Sequence, residues 1–476
     1  MYLAENNIDR TEAVRNKWTE NGVLEHSDLA PINDPYKRDA TLRLLENQEK
    51  FLSEAPTNII GDDPTNTGNV RTWDPILISL VRRTIPNLIA FDVVGVQPMS
   101  GPTGLVFAMK ANYTSSGGAE ASGQSEYDTD FSGQNALTAG GPANTLGSPL
   151  HVDTDDTNNP FAGTWLTGTG MLTSESEALG DATDNHFQEM AFSIEKTSVE
   201  AKSRALKAEY SLELQQDLRA VHGLDAETEL ANILSQEITG EINREIIRMV
   251  YTVAKPGAQK NTQSAGTFDL DTDANGRWSV EKYKGLMMQI EREANAIAKE
   301  TRRGRGNIII CSSDVASALA MTGKLDINHA LSTGLEVDDT GRTFAGVLNG
   351  RYKVYIDPYW TVNNTEIAVV GYKGTSSPMD AGVFYAPYVP LQMVRAVGEN
   401  TFQPKIAFKT RYGLVNNPFF KGVNATVGVK TRYGLVNNPF FKGVNATVGG
   451  DTSNPWAAGS KNVNAYYRKI AIKNIL

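Results

Sequence analysis

An α+β fold is predicted by three features of this chain. An apolar repeat of four residues runs through residues 226–254, short apolar runs separated by turn residues recur between 307 and 391, and a segment at 97–104 with two prolines and two glycines separates two more apolar runs. At 476 residues the chain exceeds one ordinary core, so two or three packed lobes are expected.

Residues 1–54 hold 11 acidic and 7 basic residues, a third of the segment against 21% for the whole chain, and form a separate module. Pro35 suits a first helical position after Asp34. Leu42, Leu45, Phe51 and Leu52 interleave with Arg43, Glu46, Glu49 and Lys50 as an amphipathic helix too small for its own core. A linker rich in Pro, Thr, Asn and Gly follows from Ala55 to Gly68. Pro86 ends a helix that runs from Pro75 through Val81, because proline removes a donor and restricts the residue before it. Leu88–Val96 and Leu105–Met109 read as extended segments joined by the rigid turn Gln97–Gly104.

From Ser115 to Asn185 the composition predicts loop with short strands, and Tyr127, Phe131, Phe161 and Trp165 argue against full disorder. Met190, Phe192 and Ile194 alternate as a half-buried strand. Asp225 caps a helix from Ala226 to about Ala254, with Glu227 and Glu229 near its positive end. Leu230, Leu234, Ile238, Ile242, Ile246 and Val250 form its stripe, widened by Ile233 and Ile247. At ~1.5 Å per residue it spans roughly 40 Å. Ser279 caps a second helix carrying Tyr283, Leu286, Met287, Ile290, Ala294 and Ile297, which Gly304 or Gly306 ends. Asn307–Cys311 is a buried strand with a short helix after Ser313. Arg351–Asp357 after an Asn349-Gly350 turn, Glu366–Val370 and Gly382–Tyr385 complete a mixed or antiparallel sheet.

Composition excludes several functions. The formal charge of −10 opposes a basic nucleic-acid-reading face. Cys311 stands alone in an apolar run, so it is a buried hydrophobe in a chain with no disulfide framework. No secretory signal and no run of the ~18 apolar residues needed to span a bilayer is seen, which predicts a protein without membrane insertion, assembled in a cytoplasm. Asp271-Thr272-Asp273-Ala274-Asn275-Gly276 copies half of a calcium loop, but its twelfth position is Lys282 where a glutamate is required. Asp153-Thr154-Asp155-Asp156 reads as a solvated loop. The five histidines lack metal-ligand spacing, and neither a nucleophile elbow nor a complete phosphate loop occurs. No catalytic, cofactor-binding or metal residue is assigned, and no cofactor or enzyme activity is expected.

Near the end, KTRYGLVNNPFFKGVNATVG occurs twice, at 409–428 and 430–449. Identical strands cannot share one slot. The first copy, continuing Ile406-Ala407-Phe408, is expected to take it, and Ala465–Ile472 to return as the last strand. A tandem duplication or an assembly error of the sequence explains the repeat better than a gained function.

RRTIPNLIAFD (82–92), GVQPMSGPTG (95–104), AKSRALKAEYSLELQQDLRAVHGLDAE (201–227), INREI (242–246), FAGVLNGRYKVYID (344–357), VGYKG (370–374), MDAGVFYAPYVPL (379–391) and FKTRYGL (408–414) carry a resemblance. In this order they resemble the major capsid proteins of T-even-type tailed bacteriophages, myoviruses that include marine cyanophage-like members. That resemblance covers about residues 40–476. It implies a Hong Kong 97-type capsid fold with a peripheral domain built on a long spine helix, an axial domain, an extended loop and a reduced inserted subdomain. The implied divisions are a cleavable, scaffold-interacting propeptide at 1–54, an N-terminal arm at 55–95, the extended loop at 96–189, the peripheral domain at 190–278, the axial domain at 279–400 and returning strands at 401–476.

The implied function is a self-assembling subunit forming hexamers in an icosahedral or prolate head around double-stranded DNA. Expected partners are further copies of the chain, a vertex protein, a scaffold core, a prohead protease, and portal and decoration proteins, with the virion capsid as destination. The family's protease cuts after glutamate in a leucine-or-isoleucine, any residue, glutamate pattern, which places processing at Leu52, Glu54 and Ala55. Leu3-Ala4-Glu5 and Leu44-Leu45-Glu46 also fit the first half of that pattern. Arg82, Arg83, Gly101, Pro102 and Gly104 are expected to set intersubunit geometry. The pentameric vertex paralogue is the near alternative. A polysaccharide-binding or hydrolytic protein is a remote one, for which no carboxylate pair or aromatic platform is found.

Overall fold

The computed structural model describes residues 32, 34–54, 88–113, 151–152, 164–165, 171–180, 187–326 except 260, 261, 275, 277 and 302, then 343–360, 365–374, 380–398, 402–417 and 464–475. Two compact units divide the chain. One comprises residues 1–104, 198–299 and 303–476, and the other residues 105–197 with 300–302.

Along the chain, helix α1 (Pro35–Glu54) comes first, and Asp34 accepts the Tyr36 N–H at 3.0 Å at its start. A single helical turn α2 (Ala90–Val93), strand β1 (Gly95–Val96) and strand β2 (Thr103–Tyr113) follow. Short strands β3 (His151–Val152) and β4 (Thr164–Trp165) pair with each other, and helix α3 spans Thr173–Glu177. Strands β5 (Met190–Glu200) and β6 (Lys202–Glu209) lead to helices α4 (Leu212–Val221) and α5 (Ala226–Val253). After β7 (Ala254–Pro256) and β8 (Thr267–Asp269) come helix α6 (Ser279–Thr301), β9 (Ile308–Ser312) and helix α7 (Ser313–Met321). The remaining strands are β10 (Leu325–Asp326), β11 (Thr343–Leu348), β12 (Tyr352–Asp357), β13 (Glu366–Gly371), β14 (Val383–Val397), β15 (Pro404–Asn416) and β16 (Asn464–Lys473).

The first unit is built on two sheets. One has the order β1-β14-β15-β6. The other runs β10-β11-β12-β9-β13-β16-β7, with β8 also on β16, and mixes parallel with antiparallel pairs. Both faces of the larger sheet are covered, which is why its central strands read as unbroken apolar runs. Ile308, Ile310, Tyr355, Val369 and Tyr467 enter the core shared with α1, α2 and α5, whereas Ile309, Cys311, Val354, Val370 and Ile470 enter the core shared with α6 and α7.

The long helix forms as its pattern predicts. Leu234, Ile238, Ile242, Ile246, Ile247 and Val250 are buried, and Leu230 is partly buried against the same core. Asp225 stands at the N-cap and accepts a hydrogen bond from the Thr228 hydroxyl at 2.9 Å, which lowers its carboxyl pKa. Pro256 bars Lys255 from the helical region, so the chain leaves α5 straight into β7. The Asn349-Gly350 turn has both residues at positive φ, 54° and 67°. The first copy of the repeat supplies β15, and the second lies outside the described residues.

Three expectations are corrected. Leu88–Val96 is no single strand: α2 and β1 replace it, because a continuous apolar run carries no period and its burial fits either backbone. The Asn243 side chain holds the Ile89 N–H at 3.0 Å as that turn begins. The segments flanking Gln97–Gly104 find separate partners, since β1 runs parallel to β14 and β2 pairs with β5. Ile233 does not widen the stripe of α5 and is exposed. Finally, α6 ends at Thr301, ahead of both predicted glycines. Gly304 and Gly306 serve close packing instead, for a Cβ would lie 2.5 Å from the Tyr372 ring at the first and 2.8 Å from Val370 at the second. The helix predicted to end near Val81 lies outside the described residues.

Candidate functional site: the amino-terminal helix and the exposed faces

Helix α1 packs on its own chain. Ala40, Leu42, Leu44 and Leu45 are buried in the core that contains Phe91, Ile238, Ile242, Tyr385 and Leu391, while Arg43 faces solvent. The strand beneath it is irregular, because the β14–β15 register shifts between Pro387 and Val389 and again between Val389 and Gln392. Polar side chains of α1 meet groups along that edge. The Asn47 amide donates to the carbonyls of Met99 at 2.7 Å and Tyr388 at 3.0 Å, and Gln392 donates to Gln48 at 2.6 Å in a buried pair. The Tyr36 hydroxyl donates to the Val96 carbonyl and accepts the Val96 N–H at 3.0 Å, with its ring edge-on to Phe91. Burial pushes the Tyr36 hydroxyl up to about 12. The sequence signal for this docking is Leu42 and Leu45 within the amphipathic run; nothing in it marks Tyr36, Asn47 or Gln48.

The predicted processing residues fall at the end of this helix. Leu52 and Glu54 belong to its last turn, and Ala55 lies outside the described residues, as do Arg82 and Arg83. The competing Leu44-Leu45-Glu46 motif sits mid-helix with both leucines 1% exposed. Gly101 and Pro102 precede β2, and the Pro102 carbonyl accepts the Ala201 N–H at 2.8 Å. Gly104 lies against Met99, whose sulfur would stand 2.8 Å from an added Cβ. Pro102 and Gly104 are therefore engaged within the subunit.

Ionisable side chains tie the elements together. Asp357, with no side-chain exposure, takes Arg244 of α5 at 2.5 Å and the Tyr251 hydroxyl at 2.9 Å, so the end of β12 is pinned to the long helix. Burial, and after it the nearby Asp357 carboxylate, raises the Tyr251 pKa. Arg204 of β6 bonds Glu241 at 2.8 Å and Glu245 at 2.6 Å, and the Tyr412 hydroxyl donates to Glu245. Glu293 of α6 meets Arg468 of β16 at 3.0 Å. The half calcium loop is a capped turn: Asp273 accepts the N–H groups of Gln263 and Asp269, and Lys282 bonds Asp271 at 2.5 Å. No group of three His, Cys, Asp or Glu side chains able to hold a metal occurs among the described residues. Cys311 is fully buried and its thiol is pushed up to about 12.

Large apolar side chains face outward. In the second unit, β5 pairs with β2 as a two-stranded ribbon whose Met190, Phe192 and Ile194 are 58–66% exposed, against the half-buried strand their alternation predicts. A two-stranded ribbon has no second layer to cover its face, so period two survives without burial. In the first unit, α4 buries no residue, and its Leu212 and Leu214 are exposed. Val394 and Val397, near the end of β14, and Phe402 just beyond it are exposed as well. A lone soluble subunit seldom exposes so many large apolar side chains.

A family profile described as Major capsid protein Gp23 matches residues 70–427, well over half of the chain. The major capsid protein of Vibrio phage KVP40 is 40% identical over 95% of this chain and 94% of its own length. That of Enterobacteria phage T4 is 36% identical over 97% and 98%. The capsid vertex protein of Escherichia phage AR1 is 25% identical over 77% and 90%. Among solved structures, the capsid of Myoviridae phage XM1 aligns with 80% of this chain and 88% of its own at 8% identity and a TM-score of 0.35. The extent of these matches along the sequence leads to one conclusion: the chain belongs to the Gp23 family of major capsid proteins.

Proposed function

We propose that the chain is the self-assembling, hexamer-forming subunit of a phage head, matured by removal of residues 1–54. The observation that carries the hexamer role is the difference between two sets of relatives. Identity is 36–40% to major capsid proteins but 25–27% to capsid vertex proteins. Outward-facing Met190, Phe192 and Ile194 support the reading, because copies of the same chain would bury them. The position of the cut is supported by access: Leu44 and Leu45 are buried, whereas Glu54 ends α1. The acidic balance supports a wall around DNA that does not bind it by sequence. As a shell subunit the chain needs no catalytic group, and its buried carboxylates join one element to another.

Electron microscopy of the full chain, expressed alone and with its prohead protease, tests the proposal. Sheets, tubes or shells are expected, and mass spectrometry of the processed form should find an N-terminus at Ala55. Uniform monomers at high concentration, or a mature N-terminus elsewhere, would overturn the corresponding half of the proposal. Copy number per virion separates the hexamer from the vertex role.

A further inference from the structure

We propose that the surface beneath α1 is a peptide-binding groove, and that residues 35–54 stay seated in it as a separate ligand after the chain is cut behind Glu54. The inference rests on the maturation reading only for the place of the cut. The groove has the two parts such a site needs. Ile238 and Ile242 of α5, Tyr385 and Leu391 of β14, and Phe91 form an apolar surface around Leu44. Fixed polar groups along the kinked edge of β14 and the segment beside it then read the helix side chains: Tyr388 and Met99 carbonyls take Asn47, Gln392 pairs with Gln48, and both main-chain groups of Val96 engage Tyr36. This is how an amphipathic helix is recognised in a groove, by apolar anchors on one face with flanking polar contacts.

The geometry also separates the cut from release. Each of these contacts lies between Tyr36 and Gln48, at least six residues ahead of the Glu54–Ala55 bond. Hydrolysis there breaks none of them. It removes only the tether, which supplies an effective concentration on the order of millimolar. Emptying the groove therefore takes a second event, unfolding or further digestion of the helix, and the subunit keeps its uncut conformation until then.

A site-specific protease sequence placed directly after Glu54 in the full chain allows cutting under native conditions, followed by gel filtration at micromolar concentration. Fragment 1–54 is expected to co-elute with the remainder and to exchange with a labelled synthetic 35–54 peptide. Leu45→Asp should weaken retention ~100-fold, since a carboxylate replaces a buried anchor. If that variant fails to fold, Asn47→Ala with Gln48→Ala keeps the apolar face and should weaken retention ~10-fold. Departure of the fragment on cutting, with the remainder still folded by circular dichroism, overturns the proposal, as does unaltered retention in these variants. Because the cut is engineered, a natural processing site elsewhere would sink the maturation reading and leave this result legible.

Discussion

Glu293 is where a single atom exchange should cost most. Its side chain is 6% exposed, and its carboxylate accepts from Arg468 at 3.0 Å, the Gln289 amide at 2.7 Å and the Ala258 N–H at 2.9 Å. Glu293→Gln keeps the shape but places an NH2 opposite one of three donors and removes the negative charge that Glu293 presents to the Arg468 guanidinium, 9% exposed. At 3.0 Å and an effective dielectric of 20, the lost attraction is about 5.5 kcal/mol. Breaking one side of a buried pair typically costs ~3–5 kcal/mol, which is the expected loss. Arg468→Met should cost ~1–3 kcal/mol, because Glu293 keeps two donors and so retains part of its solvation. The double variant should fall short of the sum by ~1–3 kcal/mol. Urea unfolding followed by tryptophan fluorescence gives these values, provided the slope is unchanged. Strictly additive losses, or single losses below ~1 kcal/mol each, would refute the argument that burial makes this pair strong.

Three further outcomes are expected. Leu45→Ala should destabilise the uncut chain by ~2–4 kcal/mol, read as a lower thermal midpoint, since Leu45 is 1% exposed; a loss under ~1 kcal/mol would mean that α1 is not part of the core. The Lys373 amine donates to the Phe91 carbonyl and lies 5.9 Å from the Tyr36 ring. Burial lowers its pKa from 10.5 to about 8, with Asp92 and Asp34 opposing the shift and Lys353 and Lys37 adding to it. The unfolded chain holds this proton more tightly, so the penalty is complete below pH 8 and fades as pH rises to 10.5. Lys373→Met should therefore compare more favourably with the parent at pH 7 than at pH 10, by on the order of 1–3 kcal/mol in calorimetry; a pH-independent difference contradicts the burial argument. Phe192→Ser with Ile194→Ser should leave subunit stability within ~0.5 kcal/mol and abolish particles in light scattering, because both side chains are exposed in the lone subunit. Normal particles would show that this face is not an assembly contact.

The parts of the fold that were legible have one local period and one environment. Leu234 to Val250 announce α5, and Tyr283 to Ile297 announce α6, because a single stripe meets a single core. Ile308–Cys311 is recognisable as a strand because both of its faces are covered. Where the environment changes within an element, the reading falters. β14 runs to Val397, far beyond the predicted Tyr385, because Pro387 and Pro390 sit at register shifts that a sequence pattern reports as breaks. Strand β11 was not anticipated, since its Gly346 bulge disrupts alternation. At the candidate site, Leu42 and Leu45 were legible as an apolar face, but its partner was not: Tyr36 and Asn47 bond groups 60 and 341 residues away. Such separations leave no trace in local spacing.

The repeated segment has a thermodynamic consequence that follows from where β15 and β16 are anchored. β15 uses only the beginning of the first copy, and β16 starts at Asn464, so the second copy lengthens a connection whose two ends are fixed by their own ladders. Lengthening it from 26 residues to 47 raises the entropic cost of ring closure by only about 0.5 kcal/mol. That is smaller than the effect of one ordinary point substitution. By ring closure alone, a capsid gene can thus carry twenty-one extra residues at this position at almost no cost, and selection on that term would neither remove them nor keep them.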